Sequence, residues 1–209
     1  MSTAVWAALF LLFIRFTALI FVLPVFSWKG TPAITKLGFA ALLTYLIFMA
    51  RTPAAEQLPD TVFMLFLTVL SEAFFGLALG LFVLFFFTAV RIAGQFVDFQ
   101  SGLMSASIFD PQYGGQVTLY GQFYYLFALV LYFSINGHHQ LLMALARSVD
   151  VIPPGGVVLQ ASLMPQFMRL FGQMFLIAFQ LAVPIVVVLI FCDLAMGLLG
   201  KTVPQLNVF

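Results

Sequence analysis

The sequence predicts an all-α, integral-membrane-type protein of long helices, and three observations carry that reading. Of 209 residues, 64% are apolar and only 15 (8 Lys and Arg, 7 Asp and Glu) carry charge. Soluble domains average about 25% charged and about 45–50% apolar residues. The apolar residues also fall in continuous runs, several of them near the roughly 20 residues that a membrane-spanning helix needs. Finally, no stretch alternates apolar and polar residues long enough to suggest a strand. A free soluble monomer and a disordered chain are excluded. A net charge of +1 argues against a nucleic-acid partner. Lipid or other subunits must cover the surface.

The first run, 5–22, is broken only by Arg15. It exceeds the 7–15 residues of a signal-peptide core and lacks a basic leader, so it reads as a retained helix. Pro24, Lys29, Gly30 and Pro32 form a connection to a second helix over 34–50. Lys29 and Lys36 favour this connection as cytoplasmic by the positive-inside rule. Arg51, Pro53, Glu56, Pro59 and Asp60 make the next break, and a third run extends over 61–90 with Glu72 as its one charge. The polar segment 91–121 follows, then a run rich in Phe and Tyr over 117–135. Asn136-Gly137 supplies a helix stop, a short helix follows over 140–149, and Pro153-Pro154-Gly155-Gly156 reads as a turn. The last long run is 167–199, with Pro184 inside it favouring a kink. The single cysteine, Cys192, reads as a small packing residue.

Few polar residues interrupt these runs, and their spacing is informative. Glu72, Gly76 and Gly80 recur every four residues and share one helix face. Gly76 to Gly80 is a G-x-x-x-G pattern, which lets another helix approach closely. Glu72 is either an intramembrane proton or ion site or a bundle-facing group paired with Arg15 or with a partner's donors. Thr88, Arg91, Gln95, Asp98 and Gly102 step by three and four along a continuing helix. Such a stripe is expected to face water, a lumen or another subunit. The segment 101–116 holds Ser105, Ser107, Asp110-Pro111, Gln112, Gly114, Gly115 and Gln116. It is a surface loop or a re-entrant element, because irregular backbone at membrane depth is tolerated only inside protein or beside a water-filled cavity.

Arg169, Gln173, Gln180 and Pro184 fall on one face of the last helix. Asp193, off that face, pairs with a neighbouring subunit or approaches Lys201. His138-His139 lies in a polar break with no carboxylate close in sequence, which disfavours a metal site. No catalytic triad, phosphate loop or zinc spacing appears, so neither an enzyme nor a cofactor is expected.

Taken in order, several motifs resemble one family. Phe109-Asp110-Pro111-Gln112 with Gly114-Gly115-Gln116, Asn136-Gly137-His138-His139, the Pro153–Gly156 turn, Asp193-Leu194-Ala195-Met196-Gly197 and Pro204-Gln205-Leu206-Asn207-Val208-Phe209 all fit the FliR/SctT family. These are membrane subunits of type III export apparatuses. Arg15, Pro24-Val25-Phe26 and Pro32 fit as well, and the terminal run brings the chain nearer the flagellar branch than the injectisome branch. The resemblance implies a non-enzymatic export-gate subunit of the bacterial inner membrane, in the flagellar basal body. It implies assembly with about five FliP-like and several FliQ-like chains into a pore, near FlhA- and FlhB-like proteins, that passes unfolded flagellar proteins. A FliP-like part (1–150) is expected to precede the start of a FliQ-like part (151–209). The loop centred on Phe109, Asp110 and Pro111 is expected to plug the channel. Family members usually continue past the terminal motif with another apolar helix, so the second half of the FliQ-like part is expected to be missing here.

Overall fold

The computed structural model describes residues 3–26, 31–51, 61–104, 118–157 and 163–202. Of the described residues 91% are helical and none lies in a strand. In order, the helices are α1 (Thr3–Val22), α2 (Ala33–Arg51), α3 (Val62–Gln100), α4 (Leu119–Ser134), α5 (Gly137–Val151) and α6 (Leu163–Thr202), with a 3-10 turn at Pro24–Phe26. Four of them, α1, α2, α3 and α6, are long and apolar enough to cross a membrane. The predicted all-α class therefore holds. The plug-loop residues Ser105, Ser107, Phe109, Asp110, Pro111, Gln112, Gly114, Gly115 and Gln116, and with them the expected re-entrant element, lie outside the described residues.

Two helices are much longer than a span. At 1.5 Å per residue, α3 (39 residues) and α6 (40 residues) are about 58 and 60 Å long. The change of composition at Arg91 does not end α3, because Arg91, Gln95 and Asp98 are tolerated in a helix and no Gly-Pro signal intervenes. His138 and His139 also differ from expectation. They form the first turn of α5 rather than a break, because α5 starts directly at Gly137.

The chain divides into two compact units, Met1–Phe85 with Leu131–Met168 and Phe86–Val130 with Arg169–Phe209. The core of the first is built on α1. Ala8, Leu12, Phe16, Leu19, Ile20 and Leu23 repeat at helical spacing and pack with Ala40, Leu43, Ile47 and Phe48 of α2 and Leu145 and Val149 of α5. At the surface, Arg51 and Asp150 pair at 3.0 Å, both half-exposed. Such pairs contribute about 0–1 kcal/mol.

Turn chemistry fixes the ends of α5. Asn136 adopts a left-handed conformation (φ 57°), and its carbonyl accepts from the His139 and Gln140 amides. Asparagine tolerates this region better than most residues. Beyond α5, the Gly156 amide donates to the Pro153 carbonyl at 2.9 Å, with Gly155 at φ 88°. Proline second and a positive-φ glycine third is what a type II turn requires.

The second unit is packed through small residues. Ala89, Ala93 and Val97 of α3, Ala128 of α4, and Met174, Ala178 and Ala182 of α6 are buried. Phe87 meets Tyr125 edge-on at 6.1 Å, and Phe96 meets Phe179 at 6.2 Å. The buried residues of α6 form one narrow i, i+4, i+8 stripe, and most of its other side chains are exposed.

Candidate functional site

Among the described residues each unit holds one buried carboxylate, and each carboxylate organises its surroundings. In the first unit, Arg15 and Glu72 are both fully buried. The contact is bidentate: Arg15 Nε donates to Glu72 Oε2 at 2.6 Å, and Nη2 donates to Oε1 at 3.0 Å. A planar fork against a carboxylate is the strongest common form of ion pair. The remaining arm of the guanidinium reaches the end of α5, where Nη1 donates to the carbonyls of Ile152 (3.0 Å) and Ser148 (3.4 Å). The Ser148 carbonyl also accepts from the Ile152 amide, and both carbonyls lie at the negative end of the helix dipole, where a cation is favoured. The Phe75 ring lies 4.9 Å from the guanidinium carbon.

Glu72 takes a further donor that spacing alone does not reveal. The Gly155 amide donates to Oε1 at 2.8 Å. The Pro-Pro-Gly-Gly sequence makes the turn, and the turn aims that amide at the carboxylate. The geometry thus matches the bundle-facing alternative for Glu72, with Arg15 as its partner. Gly76 and Gly80 explain how α3 comes close enough. A Cβ on Gly76 would collide with the Arg15 carbonyl oxygen, and one on Gly80 would lie 3.1 Å from the Leu19 carbonyl. The helix that approaches the G-x-x-x-G face is therefore the chain's own α1.

In the second unit the polar stripe divides. Arg91 is exposed and Gln95 half-buried, but Asp98 is 1% exposed. Asp98 faces neither water nor a lumen. Its Oδ1 accepts from the Tyr120 amide at 3.1 Å and its Oδ2 from the Gly121 amide at 3.0 Å. These are the second and third amides of α4, which have no partner within their own helix. Asp98 thus does from α3 what an N-cap side chain usually does locally, and a carboxylate there is further favoured by the helix dipole. Gly94 allows it, since a Cβ there would lie 2.5 Å from the Tyr120 carbonyl oxygen. The helical period placed Asp98 on the stripe. No sequence signal linked it to amides more than twenty residues away.

Asp98→Ala is expected to destabilise the fold by about 1.5–3 kcal/mol, the range for hydrogen bonds to a charged group. Hydrogen exchange should accelerate at Tyr120 and Gly121 first. Unchanged exchange there would show that Asp98 does not cap α4.

Asp193 is exposed, and within the chain Gln100 Nε2, rather than Lys201, donates to its Oδ2 at 3.0 Å. Cys192 is exposed rather than buried, because that face of α6 has no neighbour among the described residues.

Comparison with known proteins agrees with this architecture. The profile of the family described as "Bacterial export proteins, family 1" matches residues 6–209. The chain is 40% identical to the flagellar biosynthetic protein FliR of Bacillus subtilis (strain 168), over 97% of this chain and 78% of that protein. It is 31% identical to FliR of Escherichia coli (strain K12), over 94% and 74%. Against FliR of Aquifex aeolicus (strain VF5) the identity is 26%, over 96% and 77%. With a match from residue 6 to the last residue, and with the ordered motifs and long apolar helices of such a subunit, the chain belongs to the first family of bacterial export proteins.

Proposed function

We propose that this chain is a non-enzymatic subunit of the flagellar type III protein export gate, in the bacterial inner membrane at the flagellar basal body. It assembles with FliP-like subunits, about five in number, and several FliQ-like subunits into a pore, beside FlhA- and FlhB-like proteins. Residues 1–150 form its FliP-like part and 151–209 the start of its FliQ-like part. The segment 101–116, between α3 and α4, plugs the channel until unfolded flagellar proteins pass.

One structural observation, joined to the identity with flagellar relatives, carries this reading. The apolar surface of α3 and α6 is too long for lipid to cover. On α3, Phe63, Phe66, Phe82, Phe86 and Phe99 are all exposed, spanning about 54 Å. Fitting a helix of about 58 Å into a hydrocarbon core of about 30 Å would need a tilt of about 60°, outside the usual range of about 0–40°. Protein covering the remainder would come from neighbouring subunits, which supports a reading as part of an assembly. The relatives above carry flagellar names, which favours that branch over an injectisome. A proton-coupled transporter would need carboxylates free to exchange. Glu72 and Asp98 are fully buried and each accepts from its own chain, which weighs against it.

Cysteines placed singly at Ser105, Ser107 and Gln112 are expected to cross-link to the pore-forming partner in the assembled complex. Deleting 105–116 should raise ion leak through a closed gate. Modification of all three cysteines at bulk-solvent rates in the intact complex would refute the plug role.

A further inference from the structure

We propose that Asp98 is the positioning residue of the channel plug: from α3 it pins the first turn of α4, so that the segment joining the two helices leaves and returns at one fixed crossing. The inference rests on the reading of 101–116 as the plug and adds what holds that plug in place.

The start of α4 is built across this segment rather than locally. Thr118 stands just before the helix, and a threonine there commonly accepts from the second or third amide of its own helix. Those amides belong to Tyr120 and Gly121, and they donate instead to Asp98 Oδ1 and Oδ2 at 3.1 and 3.0 Å. The first turn of α4 therefore depends on a carboxylate of the preceding helix. Asp98 is buried, so water does not compete for these bonds.

The two backbones meet at the same place. A Cβ on Gly94 would lie 2.6 Å from the Gly121 Cα, and a Cβ on Gly121 would lie 3.2 Å from the Arg91 carbonyl oxygen. Facing glycines thus permit the crossing, and Asp98, one turn beyond Gly94, ties it by hydrogen bonds. The outgoing end of the segment is set alongside. The Ser101 amide donates to the Val97 carbonyl at 2.9 Å, and its hydroxyl donates to the Asp98 carbonyl at 3.2 Å. Gly102, at φ 75°, then turns the chain out of the helix. Both ends are fixed within about one helical turn of Asp98.

Removing the carboxylate would free the amides of that first turn. A helix end without its cap frays, and every frayed residue lengthens the tether that carries the plug. A longer flexible tether lowers the effective concentration of its cargo at the docking place. The plug would then be seated for less of the time, and the closed channel would leak.

The test is potassium flux through the assembled, closed complex in proteoliposomes. Asp98→Ala is expected to raise the leak about tenfold, the change in an equilibrium constant that loss of one hydrogen bond to a charged group brings. Asp98→Asn should give a smaller rise, since its amide oxygen still accepts. Gly76→Ala, in the first unit, is the stability control: it should lower the melting temperature to a similar degree yet leave the channel tight. Adding Asp98→Ala to the 105–116 deletion should give no further leak, because the clamp acts through the plug. Equal leak from Asp98→Ala and Gly76→Ala, or additive leak in the combined variant, overturns the inference. So does failure of both Asp98 variants to assemble, which would leave the carboxylate a purely structural role. A deletion complex that stays tight overturns the plug reading itself, whereas a leaking deletion beside a tight Asp98→Ala complex overturns this inference alone.

Discussion

Glu72→Ala is expected to lower the stability of the folded chain by about 3–5 kcal/mol, the range for removing one member of a buried ion pair. The reason lies in what remains. Arg15 is wholly buried, so after truncation its guanidinium would keep only the Ile152 and Ser148 carbonyls and the Phe75 ring. The Gly155 amide would lose its acceptor as well. The loss should be visible as a lower denaturant midpoint in detergent and as a reduced steady-state level in cells. Glu72→Gln should cost less, since an amide oxygen still accepts. The double variant Arg15→Met, Glu72→Leu gives the sharper test. Replacing both partners with apolar groups of similar volume is often neutral or stabilising, so the double should be more stable than Glu72→Ala alone. If Glu72→Ala unfolded within about 0.5 kcal/mol of the parent, the pair would not organise this unit.

Alanine at Gly76 should be nearly as damaging, although it adds a single methyl group. That methyl would collide with the Arg15 backbone carbonyl and sit 3.1 Å from the Ala18 side chain. Backbone cannot rotate aside as a side chain can, so α1 and α3 must separate. Overpacking of this kind costs about 1–3 kcal/mol, and the separation would also stretch the Arg15–Glu72 contact one turn away. Gly80→Ala should be milder, because its nearest contacts are at 3.1 Å and partial relaxation suffices. Gly38 and Gly172 provide the control, since a Cβ there meets nothing within 4 Å. Alanine at either should be neutral or stabilise by up to about 1 kcal/mol, by restricting the unfolded chain and improving helix propensity. Thermal unfolding in one detergent would give the ranking Gly76→Ala, Gly80→Ala, then the two controls. Equal effects at all four positions would contradict the close approach.

These expectations show where the sequence was sufficient. The apolar runs gave the helices, because a helix satisfies its own backbone and needs only length and composition to be recognised. The Asn136-Gly137 junction and the Pro153–Gly156 turn were legible because turn chemistry is local. The spacing of Glu72, Gly76 and Gly80 identifies a close-contact face, and Arg15 is the intramembrane cation that the sequence offers Glu72 as a partner. Spacing within a helix reports which residues share a face. It does not report what that face meets.

The positions of the two buried carboxylates depended on that missing information. Asp98 shared a stripe with Arg91, but α4 returns to α3 so that Asp98 meets two free amides while Arg91 stays outside. Asp193 found Gln100, more than ninety residues earlier, rather than Lys201 on its own helix. Gly155 became a ligand of Glu72 through the packing of a turn against a helix more than eighty residues away. In a chain with so few charges, the sequence determined that each buried charge needs a partner, because an uncompensated charge away from water is costly. Which groups met that need was decided by tertiary structure, because the partners are largely backbone amides, which donate to the carboxylates, and backbone carbonyls, which accept from Arg15. Every residue carries them, and only packing brings a particular one within reach.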